Sequence, residues 1–174
     1  MNRALWQRIR LVAFDVDGTL TDGGIYLGPD GECLKRFHAR DGMGMVMARR
    51  AGLVVGLISG RKSAITKRRA VELGLDFCYD GVDDKVAALQ AELTARQWTW
   101  EQAAFMGDDV NDVPILERVA LAAVPGDADV SAAAVATYRT RAVGGQGAAR
   151  EWLDLLLAVR VEQAAPADKG EPYD

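Results

Sequence analysis

Asp15, Val16, Asp17, Gly18 and Thr19 directly follow the apolar run Leu11-Val12-Ala13-Phe14, so two carboxylates emerge where a buried parallel strand is expected to end. Open α/β sheets place their chemistry at that edge. An aspartate there can attack phosphorus and pass through an aspartyl-phosphate, provided that a metal offsets the charge and a second acid protonates the leaving oxygen. Asp17 is spaced for that second task. An EF-hand loop is excluded, because counting from Asp15 the positions that require Gly and Glu hold Leu20 and Tyr26. Taken alone, the motif also fits two surface aspartates in a turn.

A second acidic group, Gly107-Asp108-Asp109-Val110-Asn111-Asp112, follows the apolar run Ala103-Ala104-Phe105-Met106 in the same way. Two strand ends then deliver carboxylates to one edge, a donor set suited to Mg²⁺, which prefers octahedral oxygen ligands and keeps water and substrate phosphate among them. The plainer reading is that Asp108 or Asp109 caps the next helix. His38 is the only histidine, which excludes His-based triads with a separate partner His and leaves any metal to oxygen ligands.

Ser59-Gly60-Arg61 ends a further apolar run, and a hydroxyl with free backbone N–H groups at a helix start can cradle an anion. Gly56 to Ser63 nearly spells a nucleotide P-loop, but Arg61 stands where its second Gly is needed. Lys85 opens a helix, where a cation opposes the dipole unless an anion lies near. Gly144 to Gly147 approximates a dinucleotide fingerprint, yet Arg150 replaces the third Gly, so a turn feeding the last helix is expected instead.

Positioning these groups requires strands alternating with helices. Strands are expected at Leu11–Phe14, Leu53–Ile58, Leu75–Tyr79, Ala103–Met106 and Leu121–Val124. Helices are expected from an Asp41 cap to Gly52, from Ser63 to Leu73, after an Asp83 or Asp84 cap through Leu93, over Val113–Arg118 and Ala128–Ala136, and over Glu151–Val161. That order predicts an α/β fold with a three-layer, Rossmann-like parallel sheet. A Gly28-Pro29-Asp30-Gly31 turn predicts a protruding β-hairpin at about 23–38, with Ile25, Tyr26, Leu27 and Phe37 exposed. The hairpin is too short to be a cap domain. One domain is expected over 1–161, followed by a flexible tail over 162–174.

With 174 residues, 49% of them hydrophobic, the chain can bury a real core. A net charge of −4 with only short basic clusters argues against nucleic acid as the partner. No membrane span or signal-type apolar segment is evident, so a cytoplasmic protein is expected. Cys33 and Cys78 have neither metal-site nor disulfide spacing.

Asp15-x-Asp17-Gly-Thr, Ser59, Lys85 and Gly107-Asp108-Asp109-x-x-Asp112, in this order, resemble the motifs of the haloacid dehalogenase superfamily. Over about Leu11 to Leu157 the chain is similar to its capless 3-deoxy-D-manno-octulosonate 8-phosphate phosphatases, through Asp22-Gly23, Arg40-Asp41-Gly42, Ser59-Gly60-Arg61, Arg69-Ala70 and Gly144 to Glu151. The resemblance implies a Mg²⁺-dependent phosphatase acting on a small phosphorylated sugar acid. Asp15 is implied as nucleophile and metal ligand, Asp17 as general acid/base and carbonyl ligand, and Asp108 as the remaining direct ligand, with Asp109 and Asp112 orienting that shell. Phosphate contacts are implied for Ser59, Gly60, Lys85 and Asn111, and substrate contacts for His38, Arg40, Asp41, Gly42, Arg61 and Arg69. Val46 departs from the family, which often has Lys or Arg there. The family's homotetramers, whose hairpins associate and close neighbouring active sites, are the implied assembly. Sialic-acid-type 9-phosphate phosphatases share the same body, and a non-catalytic binding module is the remote alternative.

Overall fold

The structure, a computed structural model, describes residues 3–164. A short helix α1 (Arg3–Arg8) leads into β1 (Leu11–Phe14). The hairpin β2 (Tyr26–Gly28) and β3 (Gly31–Leu34) comes next, followed by α2 (Ala39–Arg50), β4 (Val54–Ser59), α3 (Ala64–Glu72), β5 (Phe77–Asp80) and α4 (Lys85–Ala95). The chain continues through β6 (Ala103–Met106), α5 (Val113–Leu116), β7 (Leu121–Val124), α6 (Val130–Val135), β8 (Tyr138–Arg139) and α7 (Ala148–Ala164). Six strands form one parallel sheet in the order β5-β4-β1-β6-β7-β8. Strand β1 lies between β4 and β6, where the order of connection reverses, and this is the crevice in which open α/β sheets bind ligands.

All four residues of β1 are buried because the sheet is covered on both faces. Side chains alternate across a strand. Val12 and Phe14 therefore meet α2 and α7 through Met45, Ala48, Trp152 and Leu156, whereas Leu11 and Ala13 meet α4 and α5 through Leu89, Leu93 and Ile115. Phe14 stands edge-on to Trp152 with ring centroids 5.8 Å apart. Between β1 and α2 the chain inserts only the hairpin, so among the described residues no element of domain size follows β1 to cover the carboxyl edge of the sheet.

Several local expectations are corrected. Helix α2 begins at Ala39 with His38 at its N-cap position, so Asp41 is a buried first-turn residue and not the cap. The hairpin ladder ends at Leu34, because Lys35 turns inward and is buried. Phe37 is half-buried against the core, and Leu34 takes its place among the exposed apolar residues with Ile25, Tyr26 and Leu27. Strand β8 and helix α1 were not anticipated; two and six residues are too short to show a period. Helix α7 continues through 162–164, where the tail was expected to begin, and the rest of that tail lies outside the described residues.

Candidate active site

Asp15 leaves β1 with its backbone N–H donating to the Met106 carbonyl at 2.8 Å, which locks the start of the acidic loop to the end of β6. Its side chain is buried. Lys85, the first residue of α4, reaches across with Nζ 2.5 Å from Asp15 Oδ1 and 2.6 Å from Asp112 Oδ1. The anion that the helix-start lysine needed is thus a pair of carboxylates. One carboxylate oxygen from each of Asp15, Asp108 and Asp112 lies within 4.8 Å of the others.

A single ammonium among three carboxylates leaves the cluster short of positive charge. Burial, then the neighbouring Asp112 charge, pushes Asp15 up to about 8 against the opposing pull of Lys85. Burial likewise raises Asp108 to about 6, although the Thr19 hydroxyl donates to its Oδ1 at 2.9 Å. Burial alone would lower Lys85, but Asp15 and Asp112 outweigh it and hold the ammonium charged. Oxygen donors with a deficit of cation fit a hard divalent ion such as Mg²⁺, which would favour the ionised forms.

Asp112 is fully buried, with Oδ1 on Lys85 and Oδ2 accepting from the Asp108 and Asp109 backbone N–H groups at 3.0 and 3.4 Å. Both its oxygens are occupied in shaping the loop that presents Asp108. Asp109 caps the turn Val110–Asp112, its side chain accepting from the Val110 N–H at 2.7 Å, which matches the plainer reading of that residue. Gly18 has φ +91°, and a Cβ there would lie 2.0 Å from Asp108 Oδ2, so only glycine lets the first acidic loop approach the second. A Cβ on Gly144 would lie 1.8 Å from the Gly18 carbonyl oxygen. The glycine-rich turn before α7 is therefore a buttress for the Asp15 loop as well as a lead into the helix.

An open cleft of about 510 Å³ is lined by Asp15, Asp17, Ser59, Gly60, Arg61, Asp109 and Asn111. Ser59, at the end of β4, accepts from the Arg61 N–H at 3.3 Å in a tight turn. Arg61 Nε is 3.6 Å from Asp17 Oδ2. Other expected substrate residues do not reach this cleft within the chain. Arg69 lines a separate cleft of about 360 Å³ beside Lys35 and Phe37, with its guanidinium against Glu72 at 2.9 Å. Asp41 faces α7, accepting from the Arg150 and Gly147 N–H groups at 2.8 and 3.2 Å, and His38 Nδ1 lies 4.0 Å from it. Arg40 and Gly42 stand beside them in the first turn of α2, and Gly42 packs against the Arg69 guanidinium.

Sequence reasoning gave no role to Thr19, Glu32 or Lys35. Lys35 pairs with Asp17, and Glu32 lies 3.2 Å from the Lys35 ammonium and also accepts from the Ser63 hydroxyl. No local pattern marks Lys35, because Cys33 and Leu34 before it are both exposed and it turns inward only after β3 has ended.

No family model matches the chain. Fold and site together define a haloacid dehalogenase-like phosphatase, the class to which the similar solved structures belong. The 3-deoxy-D-manno-octulosonate 8-phosphate phosphatase of Escherichia coli (strain K12) is 41% identical over 151 residues, covering 87% of this chain and 80% of that protein. The crystal structure of the Yersinia pestis phosphatase of the same name superposes with a TM-score of 0.89 at 37% identity, covering 94% of this chain and 88% of that one. Its Moraxella catarrhalis counterpart, solved with a magnesium ion, a phosphate ion and a KDO molecule, gives a TM-score of 0.88 at 32% identity and covers 92% of each chain. The chain belongs to the 3-deoxy-D-manno-octulosonate 8-phosphate phosphatase family.

Proposed function

We propose that this chain hydrolyses 3-deoxy-D-manno-octulosonate 8-phosphate to the free sugar acid and phosphate, in the supply of lipopolysaccharide precursors, with Mg²⁺ as cofactor. The observation that carries the mechanism is the buried Asp15 carboxylate, held by Lys85 within the acidic cluster and facing an open polar cleft. Asp15, Asp108 and the Asp17 carbonyl would hold the metal, which supplies charge neutralisation for the phosphoryl oxygens.

The free Asp15 oxygen attacks phosphorus, and the bond to the sugar oxygen breaks as Asp17 gives that oxygen its proton. Asp17, now a carboxylate, takes a proton from a water that attacks the aspartyl-phosphate, releasing phosphate and restoring Asp15. Ser59, the Gly60 N–H, Lys85 and Asn111 hold the phosphoryl group, while Asp109 and Asp112 keep the acidic loop in place. Arg61 is the partner for the sugar-acid carboxylate, because a guanidinium can bind a carboxylate through two parallel hydrogen bonds.

His38, Arg40, Gly42 and Arg69 act, in this reading, on the substrate of a neighbouring subunit in a homotetramer. The exposed Ile25, Tyr26, Leu27 and Leu34 supply an apolar surface for that association. Among the described residues no helix is long and apolar enough to cross a membrane. A sugar acid phosphate, with carboxylate and phosphate both ionised, does not cross a membrane unaided, which favours the cytoplasm, where such an ester is made, as the working compartment.

The test is steady-state phosphate release from the octulosonate 8-phosphate, a nonulosonate 9-phosphate and simple sugar phosphates. The octulosonate ester should give the highest kcat/KM, and Asp15→Asn should remove turnover on all of them while the protein stays folded. Turnover near wild type in Asp15→Asn would refute the mechanism, and preference for the nonulosonate ester would reassign the substrate.

A further inference from the structure

We propose that Lys35, carried on the hairpin, is the positioning residue for Asp17, with Glu32 seating Lys35 from behind; the inference rests on the acid/base assignment of Asp17 above. The Lys35 side chain is 2% exposed, and its ammonium contacts the Asp17 carboxylate and lies 3.2 Å from Glu32 Oε1. Burying an ammonium is costly unless fixed carboxylates compensate it, so a lysine in this state records a defined geometry. Lys35 lies just past the end of β3: Cys33 and Leu34 are exposed, and the chain then turns Lys35 inward to the acidic loop.

Glu32 is itself held, accepting from the hydroxyl of Ser63, which caps α3 by accepting from the Thr66 N–H at 3.1 Å. The hairpin is thereby tied at one end to the helix following Arg61 and at the other to Asp17. Asp17 needs such a tether, because its side chain is a quarter exposed at the cleft mouth and, among the described residues, its other ion pair is the looser one with Arg61 at 3.6 Å. A proton donor must sit within hydrogen-bond reach of the leaving oxygen to act, and Lys35 removes the rotamers that turn the carboxyl away.

The consequence is a dependence on leaving-group basicity. Phenyl and p-nitrophenyl phosphate share a ring, but p-nitrophenolate departs without a proton whereas phenolate requires one. Their kcat/KM values report only steps up to leaving-group departure, and their ratio, measured on one sample, is independent of the folded fraction. Lys35→Met should lower kcat/KM for phenyl phosphate and for the octulosonate ester by about 10- to 100-fold, with less than about 3-fold loss on p-nitrophenyl phosphate. Asp17→Asn should shift the phenyl to p-nitrophenyl ratio in the same direction, Glu32→Gln should shift it less, and Lys35→Arg should restore most of it.

Equal losses on both aryl esters would assign Lys35 to the fold or the phosphoryl centre and overturn the proposal. A loss confined to the octulosonate ester would make Lys35 a sugar contact, which also overturns it. An unchanged ratio together with an altered one in Asp17→Asn would show that Asp17 needs no tether. If the wild-type protein hydrolyses the aryl esters but not the octulosonate ester, the substrate reading fails while the aryl comparison still decides the role of Lys35.

Discussion

Arg61 has 45% of its side chain exposed and its Nε 3.6 Å from Asp17 Oδ2, so it can swing toward a bound ligand without unpacking anything. Solvent screening limits what such a group contributes. Arg61→Ala should raise KM for the octulosonate ester by about tenfold and change KM for p-nitrophenyl phosphate little, because only the former brings a carboxylate to pair with. Equal rises on both substrates would place Arg61 at the phosphoryl centre. Lys85 is the contrasting case: two of its three N–H donors are taken by Asp15 and Asp112, so it can offer the third to a phosphoryl oxygen but cannot move away without leaving buried carboxylates unpaired.

Helix α7 draws its N-terminal order from α2. Asp41 accepts from two of the amides at the α7 start, a capping bond supplied from across the fold. Asp41→Ala should cost about 1–2 kcal/mol and lower Tm by about 3–6 °C, with Asp41→Asn recovering part of it through its remaining acceptor. Thermal melts with and without substrate check this; a normal Tm with a raised KM would instead assign Asp41 to substrate binding.

The hairpin contributes nothing to either core cluster, so excising Leu27 to Cys33 and closing with a short Gly linker should leave a folded protein. If the proposed assembly forms through the hairpin, it should become smaller and much less active on the sugar ester, since the deletion removes Leu27, Glu32 and the turn that presents Tyr26 opposite Leu34. Light scattering and kinetics read both effects. An intact protein that is monomeric at micromolar concentration and fully active would show that closure comes from within one chain.

The whole molecule carries the charge deficit of its site as a stability effect. In metal-free protein Asp15 titrates at about 8 when folded against 3.8 ordinarily, and Asp108 at about 6, so between those values the folded state binds more protons than the unfolded state. Stability therefore falls as pH rises through that window. In chelator, Tm should be lower at about pH 8 than at about pH 5.5, and Mg²⁺ should raise Tm more at the higher pH because it favours the ionised cluster. The same chelation should stop turnover until Mg²⁺ is restored. A metal-free Tm that rises with pH over this range would contradict the charge deficit.

What local chemistry controls was legible in the residues themselves. Carboxylates directly behind apolar runs, the Ser63 and Asp84 caps, and the Gly28-to-Gly31 turn all depend on atoms within a few positions, and each lies where the pattern placed it. The sheet and the residues at its carboxyl edge follow from that order of elements. Only the tertiary structure decided which faces meet. Lys85 reaches Asp15 across 70 positions, Gly144 presses on Gly18, Asp41 turns to the start of α7, and Lys35 turns inward just past the end of β3. Each of these choices minimises unpaired buried charge or unfilled space between segments distant in the chain, a balance that no short window of sequence contains.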